Sequence, residues 1–341
     1  MALNGRHEAP WQRIPVHEES GVGEARRAAR RLAGEAGLGE ADAERAAIVA
    51  TEAARNALRH GRGGEVLVQG EPGRVDLVVL DRGPGIADLV AAQRDGHSTG
   101  GTPGHGLGAM KRLASAFDLW SAPGRGTVLH LAVAAAAPRA AHDPGAAELA
   151  AIVLAAPGES VAGDAWARAP GPGHGEDGGE RLFLADGLGH GPRAHEAARA
   201  CCDAFLGATA GAPADVLAEI HLAARHTRGA AGVVAAWRGD ALRYAGAGNL
   251  SGAIVEDAVV RRCVSVAGTL GAELRKAQEF TYPFPPGALL VLHTDGIATQ
   301  WSLGDYPGLL RRHPAVVAGV LVRDFLRGRD DAGVLVARRP A

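Results

Sequence analysis

Residues Thr51–Gly61 read TEAARNALRHG, and the reading of the first half of the chain turns on this stretch. Apolar positions recur at helical spacing from Glu40 to Arg59 and Gly61 stops the run, which predicts a helix. Glu52 and Asn56 are four apart, so they project from one face of that helix. An Asn amide oxygen is a neutral ligand for Mg²⁺ carried on ATP phosphates, and a carboxylate one turn away can polarise an incoming hydroxyl. Working outward, Val22–Ala36 reads as a helix with a basic outer face, and Glu65–Gly70 and Arg74–Leu80 read as paired strands joined by a Pro-Gly turn. The second strand runs into DRGPGI, Asp81–Ile86. There Asp81 can accept a hydrogen bond from an adenine amino group, while Gly83 and Gly85 let the backbone approach a base closely. GHGLGAMKRL, Gly104–Leu113, then sets glycines before a helix whose first N–H groups can hold phosphate oxygens. Leu119–Ser121 and Gly126–Val133 complete a small mixed sheet, giving an α/β sandwich with helices on one face.

The second half carries a different signal. Strands dominate from Leu149 onward, with helices expected at His195–Leu206, Ala214–Arg225 and Ala315–Leu326 and a last strand at Ala332–Arg338. Aspartates fall at strand ends and turns: Asp164 in GDAW, Asp186 in ADGLGHG, Asp295 in HTDG, and the pair Asp330-Asp331 in RDDAGVLVA. Carboxylates gathered at one end of a sheet repel unless a cation lies among them, and hard oxygen donors in that number suit Mn²⁺ or Mg²⁺. Two such ions about 3.5–4 Å apart bridge a water and lower its pKa, which provides a nucleophile for attack on phosphorus at neutral pH. Gly187 and Gly296 follow two of these aspartates and allow tight turns; the Gly187 carbonyl is a further candidate ligand. His190 can contact phosphate or give a proton to a leaving group, and ordinary loop packing is the competing reading. A zinc site built from His190, His195 and His293 fails on spacing.

The chain has 341 residues, enough for two domains each with its own core. A seam of Pro, Gly, His and Asp between Ala134 and Ala147 divides it into domains at 1–135 and 148–341 with a linker at 136–147. With 36 Lys and Arg against 38 Asp and Glu, bulk charge gives no reason to expect nucleic acid or a membrane surface as partner. No apolar run reaches the ~18 residues of a membrane span, and Met1–Pro15 has no hydrophobic signal-peptide core. Cys201, Cys202 and Cys263 lack metal-site or disulfide spacing, which fits reduced thiols in a cytoplasmic protein.

Taken together and in order, the three segments of the first half resemble the GHKL ATP-binding fold, most closely the anti-sigma regulatory kinases of the RsbW and RsbT type. The resemblance covers about 14–133 and includes the closing GRGTVL of Gly124–Leu129. It implies Glu52 as general base, Asn56 as Mg²⁺ ligand and Asp81 as adenine contact. Gly83, Gly85, Gly104, Gly106, Gly108 and Thr127 would shape an ATP pocket, with Asp88–Pro103 as a mobile lid. The second half resembles the metal-dependent protein phosphatases of the SpoIIE and RsbX-like branch, over about 149–338, including GAGNLSG (Gly246–Gly252) and GTLG (Gly268–Gly271). That resemblance implies an α-β-β-α sandwich, with Asp164 and Asp186 sharing the bridging region between two metals, the Gly187 carbonyl as an added ligand, and Asp295 with Asp330 or Asp331 completing the second metal. The family continues its double Asp with an apolar residue and Thr, where this chain has Ala332 and Gly333. The implied function is a Ser/Thr phosphatase with an ATP-binding domain in cis. Its partners would be phosphorylated STAS-domain proteins, anti-sigma antagonists or stressosome-like, in a bacterial partner-switching circuit that also involves a sigma factor. The rival reading makes the first domain a nucleotide-dependent binding module without chemistry.

Overall fold

Alanine-rich stripes in the first half become helices lying close against a sheet. The computed structural model describes residues 5–7, 10–92, 106–135, 147–171, 179–257 and 259–340. The chain begins with β1 (Gly5–His7), β2 (Gln12–Val16), α1 (Glu19–Glu35), α2 (Glu40–His60), β3 (Gly64–Glu71) and β4 (Arg74–Asp81). It continues through α3 (Leu89–Ala92), α4 (Leu107–Leu113), β5 (Ala116–Ser121) and β6 (Thr127–Ala134). Then come β7 (Glu148–Leu154), β8 (Asp164–Pro170), β9 (Glu180–Gly187), α5 (Pro192–Gly207), α6 (Pro213–Ala223), β10 (Ala230–Arg238) and β11 (Ala241–Ala247). The last elements are β12 (Ser251–Glu256), β13 (Val259–Cys263), β14 (Phe280–Pro283), β15 (Leu289–His293), α7 (Pro314–Phe325) and β16 (Ala332–Arg338). Among the described residues no helix is long and apolar enough to cross a membrane.

The chain divides into two units: Trp11–Ala141 with Asp305–Arg323, and Met1–Pro10 with His142–Gly304 and Asp324–Ala341. In the first, the sheet order is β2-β3-β4-β6-β5. Every neighbouring pair is antiparallel, where the sequence reading has a mixed sheet. Val66, Val68, Val75, Leu77, Val79, Leu129 and Leu131 face one way and pack with Ala25 and Ala29 of α1 and Ala46, Ala50, Ala53 and Ala57 of α2. Alanine at these positions lets both helix axes approach the sheet.

Side chains alternate across a strand, so Leu67, Val78, Leu80, Trp120 and Val128 are on the opposite face, and they are buried too. Segment Asp305–Arg323 covers them. A Cβ added at Gly319 of α7 would stand 2.7 Å from Val128 and 3.0 Å from Val78, so glycine sets the closeness of this packing. Trp120 Nε1 donates to the Pro307 carbonyl at 3.0 Å, and the Trp120 ring tilts against Tyr306 at 5.3 Å. The His313 amide donates to Asp118 at 2.6 Å, and its ring stacks on His130 at 4.6 Å. The expectation of helices on one face only is thus corrected: a helix expected within 148–341 covers the second face. At the other end, β1 pairs with β8, so residues expected in the first domain extend a sheet of the second unit. Most of the expected linker, 136–146, is outside the described residues.

The second unit is a two-sheet sandwich, β1-β8-β9-β10-β11-β14 and β13-β12-β15-β16-β7. Trp166, Leu184, Val233, Tyr244, Ile254, Leu290, Leu292 and Leu335 fill the space between the sheets. On the outer face of the first sheet, Ala167, Phe183, Ala185 and Val234 pack with Cys201, Cys202 and Phe205 of α5 and Val216, Leu217 and Ile220 of α6. All three cysteines are free thiols. Burial pushes the Cys201 thiol up to about 12, so it is a packing group here.

Candidate active sites

In the first unit, a cavity of about 660 Å³ opens between α2, the end of β4 and the start of α4. Asn56, Asp81, Gly85, Gly106 and Thr127 line it, joined by Arg59, His60, Arg62 and Asp88, with Ala53, Val79, Ile86 and Leu129 as apolar wall. Asp81 ends β4 in register with Thr127. One of its carboxylate oxygens accepts the Gly83 amide at 2.9 Å and the Thr127 amide at 3.2 Å. Burial raises its pKa above the ordinary carboxylate value, and these backbone bonds oppose the shift. The Arg323 guanidinium donates to the Asp81 carbonyl at 3.1 Å. Glycine is required at this spot: Gly85 has φ +72°, and a Cβ there would stand 1.9 Å from the Ala122 carbonyl oxygen.

Other expected residues sit differently. Glu52 is one turn from Asn56 but does not line the cavity, and its carboxylate pairs with Arg55 at 3.5 Å. Gly83 turns the chain beside Gly61, and Gly108 lies within α4; neither lines the cavity. Gly104 and residues 93–103 of the expected lid are outside the described residues.

In the second unit, β8 and β9 place Asp164 directly opposite Asp186. Burial and the neighbouring Asp186 push the Asp164 carboxyl well above the usual range. Asp186 rises to about 7, through burial first and then repulsion from Asp295, Asp330 and Asp331. Burial raises Asp331 as well. A Cβ at Gly187 would lie 2.1 Å from the Ala194 carbonyl and one at Gly296 2.0 Å from the Asp331 carbonyl, so both turns pack too tightly for a side chain. Among the described residues, no group of three His, Cys, Asp or Glu side chains is already gathered at ligating distance.

The adjacent pair Asp330-Asp331 separates by direction. Asp331 is 4% exposed and accepts the Ala156 amide at 2.8 Å through one oxygen. Its other oxygen is buried against Gly163, and hydrogen bonding from the Ala156 and Gly163 amides opposes the rise that burial causes. Asp330 is exposed and lines a cavity of about 350 Å³ with Asp295, Gly296, Arg327 and Arg329. His190 is also exposed, and its Nδ1 is 2.6 Å from Glu159, whose hydrogen bond raises the imidazole pKa above its ordinary value.

Sequence reasoning missed two supporting groups. Thr294 donates its hydroxyl to Asp164 at 2.7 Å and accepts the Gly333 amide at 2.8 Å. The signal was present: Gly333 stands where the family has Thr, and Thr294 immediately precedes Asp295. Asn249, in the GAGNLSG stretch, donates to Asp295 at 2.8 Å.

Residues 16–133 match the family described as histidine kinase-like ATPase domain, and residues 176–340 match stage II sporulation protein E, SpoIIE. The serine/threonine-protein kinase RsbT of Bacillus subtilis (strain 168) is 34% identical over 118 residues, which are 33% of this chain and 89% of RsbT. A solved chain from work on the bacterial stressosome as a modular system has a TM-score of 0.50 and 24% identity, covering 57% of this chain and 100% of its own. RsbX in complex with magnesium has a TM-score of 0.46 and 18% identity, over 56% of this chain and 94% of RsbX. The chain therefore belongs to the histidine kinase-like ATPase family through residues 16–133, and it carries a phosphatase domain of the SpoIIE serine/threonine class through residues 176–340.

Proposed function

We propose that the SpoIIE-type unit hydrolyses phosphoserine or phosphothreonine on a STAS-domain partner, and that the ATPase-type unit binds ATP with Mg²⁺ and phosphorylates the same class of partner. The setting is a cytoplasmic partner-switching circuit. The observation that carries the phosphatase half is the pairing of Asp164 with Asp186 beside Asp295, Asp330 and Asp331, where burial and then the neighbouring carboxylates raise the Asp164 and Asp186 carboxyls. Their donor chemistry fits two Mn²⁺ or Mg²⁺ ions: every candidate ligand is a hard oxygen, and the buried Asp164 and Asp186 carboxyls, raised by burial and by their acidic neighbours, are groups whose charged form a nearby cation would stabilise. In this reading Asp164, Asp186, the Gly187 carbonyl, Asp295 and Asp330 are the ligands, with Asp331 behind Asp330. Bound there, the ions supply a water activated for attack on phosphorus at neutral pH. Thr294 fixes the rotamer of Asp164, and Asn249 fixes that of Asp295. His190, whose imidazole pKa is raised by the hydrogen bond to Glu159, is the candidate to give a proton to the departing Ser or Thr oxygen.

In the first unit Asp81 accepts from the adenine amino group, Gly85 admits the base, and Asn56 holds the Mg²⁺ on the phosphates. Glu52 acts as base once it leaves Arg55. The Glu52–Arg55 pair also favours the second reading, a nucleotide-dependent binding module without transfer. One experiment covers both units. The full chain is incubated with a STAS protein in phosphorylated form plus Mn²⁺, and in unphosphorylated form plus ATP and Mg²⁺. Released phosphate that disappears with chelator supports the phosphatase, and its absence with Mn²⁺ present refutes it. Phosphotransfer supports the kinase, whereas tight ATP-dependent binding without transfer supports the module.

A further inference from the structure

Two guanidiniums stand beside the acidic site with nothing of the described chain to hold. The Arg327 amide donates to the Gly296 carbonyl at 2.8 Å, which ties the 327–330 segment to the turn after Asp295. Gly328, at φ +68°, then reverses the chain so that Arg327, Arg329 and Asp330 all line the same cavity of about 350 Å³. Both arginines are exposed. Among the described residues neither guanidinium makes a hydrogen bond or an ion pair, although the carboxylates of Asp295 and Asp330 share the cavity wall. A cavity of about 350 Å³ is large enough for a phosphoryl group and the oxygen it leaves.

An arginine presents five N–H donors in a rigid planar fork whose geometry matches phosphate. We propose that Arg327 and Arg329 bind the non-bridging phosphoryl oxygens of the substrate and hold the phosphorus over the carboxylate cluster. This rests on the phosphatase reading above. It assigns substrate recognition to the RGR stretch immediately before the double aspartate. The group bound is a phosphate dianion, whichever Ser or Thr carries it. The competing role is charge balance, in which the arginines only offset Asp295 and Asp330; the two roles predict opposite responses.

The test uses the full chain saturated with Mn²⁺, as wild type, Arg327→Ala, Arg329→Ala, the double variant and Arg327→Lys. Inorganic phosphate binding is measured by calorimetry, Mn²⁺ affinity is measured separately, and kcat and KM are determined on one phosphoserine peptide. The proposal expects phosphate affinity to fall about tenfold in each alanine variant and further in the double variant, with KM rising in parallel. Arg327→Lys keeps part of the affinity because the charge remains while the fork is lost. Mn²⁺ affinity stays within a factor of about two. Unchanged phosphate affinity in the double variant overturns the proposal, as does tighter Mn²⁺ binding without loss of phosphate binding. Arginine-dependent phosphate binding in a chain that hydrolyses nothing would support this site while refuting the phosphatase reading.

Discussion

Asp81 and Asp186 are both aspartates at the end of a strand followed by glycine-rich turns, and burial raises the pKa of both. Their surroundings differ in kind. Around Asp81 the backbone does the work: two amides point at the carboxylate, and glycines at 61, 83, 85 and 126 bring main chain close on several sides. Around Asp186 the neighbours are other carboxylates. The first pocket is therefore organised before any ligand arrives, since hydrogen bonds fix its acceptor. The second holds electrostatic tension that a cation relieves. A site built from backbone tolerates few changes of shape, and a site built from like charges tolerates few changes of charge.

The largest expected effect probes the charged site. Asp186→Asn or Asp295→Asn should lower phosphate release more than about 100-fold, because groups one shell further out already cost about 10–100-fold in metal sites. ATP binding by the same variants, read by calorimetry, should not move; an equal loss there would mean that the two sites are not separable. Next comes Asp81→Asn, which should weaken ATP binding by about 1.5–3 kcal/mol, the range for a hydrogen bond to a charged group. Phosphate release at saturating Mn²⁺ should be unchanged, and undiminished ATP affinity would remove Asp81 from the adenine contact.

Much of this contrast was legible in the sequence. Asp81, Asn56 and Gly85 stand out because strand end, helix face and turn chemistry are local signals, and aspartate followed by glycine at a strand end is local as well. Glu52 did not follow its pattern, since helical spacing gives the face a side chain leaves from but not its rotamer, and Arg55 competes for it three residues on. The division of labour between Asp330 and Asp331 depends on the start of β16 and on the Ala156 amide, a partner far away in sequence. The docking of α7 was the largest omission. All of 314–323 is buried, so its pattern shows burial without showing against what. The clue lay in Val78, Leu80, Trp120 and Val128, an apolar set on the sheet face that the expected helices left uncovered.

That clue suggests a third, smaller effect. Gly319→Val puts methyl groups into Val128 and Val78 and should lower stability by about 1–3 kcal/mol through overpacking. Thermal melts would read it, and an unchanged melting temperature would mean that the α7 contact with this sheet is loose. The smallest effect is one of pH. Without metal, folded Asp186 keeps its proton up to about pH 7, whereas the unfolded residue releases it near 3.8. The folded state thus binds more protons between those values, so metal-free stability should fall as pH rises through this window and stay low above it. Because several carboxylates share the titration, the expected change is about 2–4 °C in melting temperature. Saturating Mn²⁺ should flatten the slope, and a metal-free chain that gains stability from pH 4 to 7 would contradict the carboxylate tension.

The position of segment 305–323 also bears on how the chain comes into being. Synthesis runs from the N-terminus at about 5–20 residues per second, and domains tend to fold in the order they are made. Here the piece that covers Trp120, Val78, Leu80 and Val128 emerges only after β15. Strand β16, which sits between β15 and β7 in its sheet, emerges later still. Neither unit can finish before translation has passed residues 305–338. A ribosome that stalls earlier leaves an uncovered sheet in one unit and a split sheet in the other. The nascent chain thus completes its ATPase-type unit and its SpoIIE-type unit at nearly the same moment, with no long interval in which one is finished without the other.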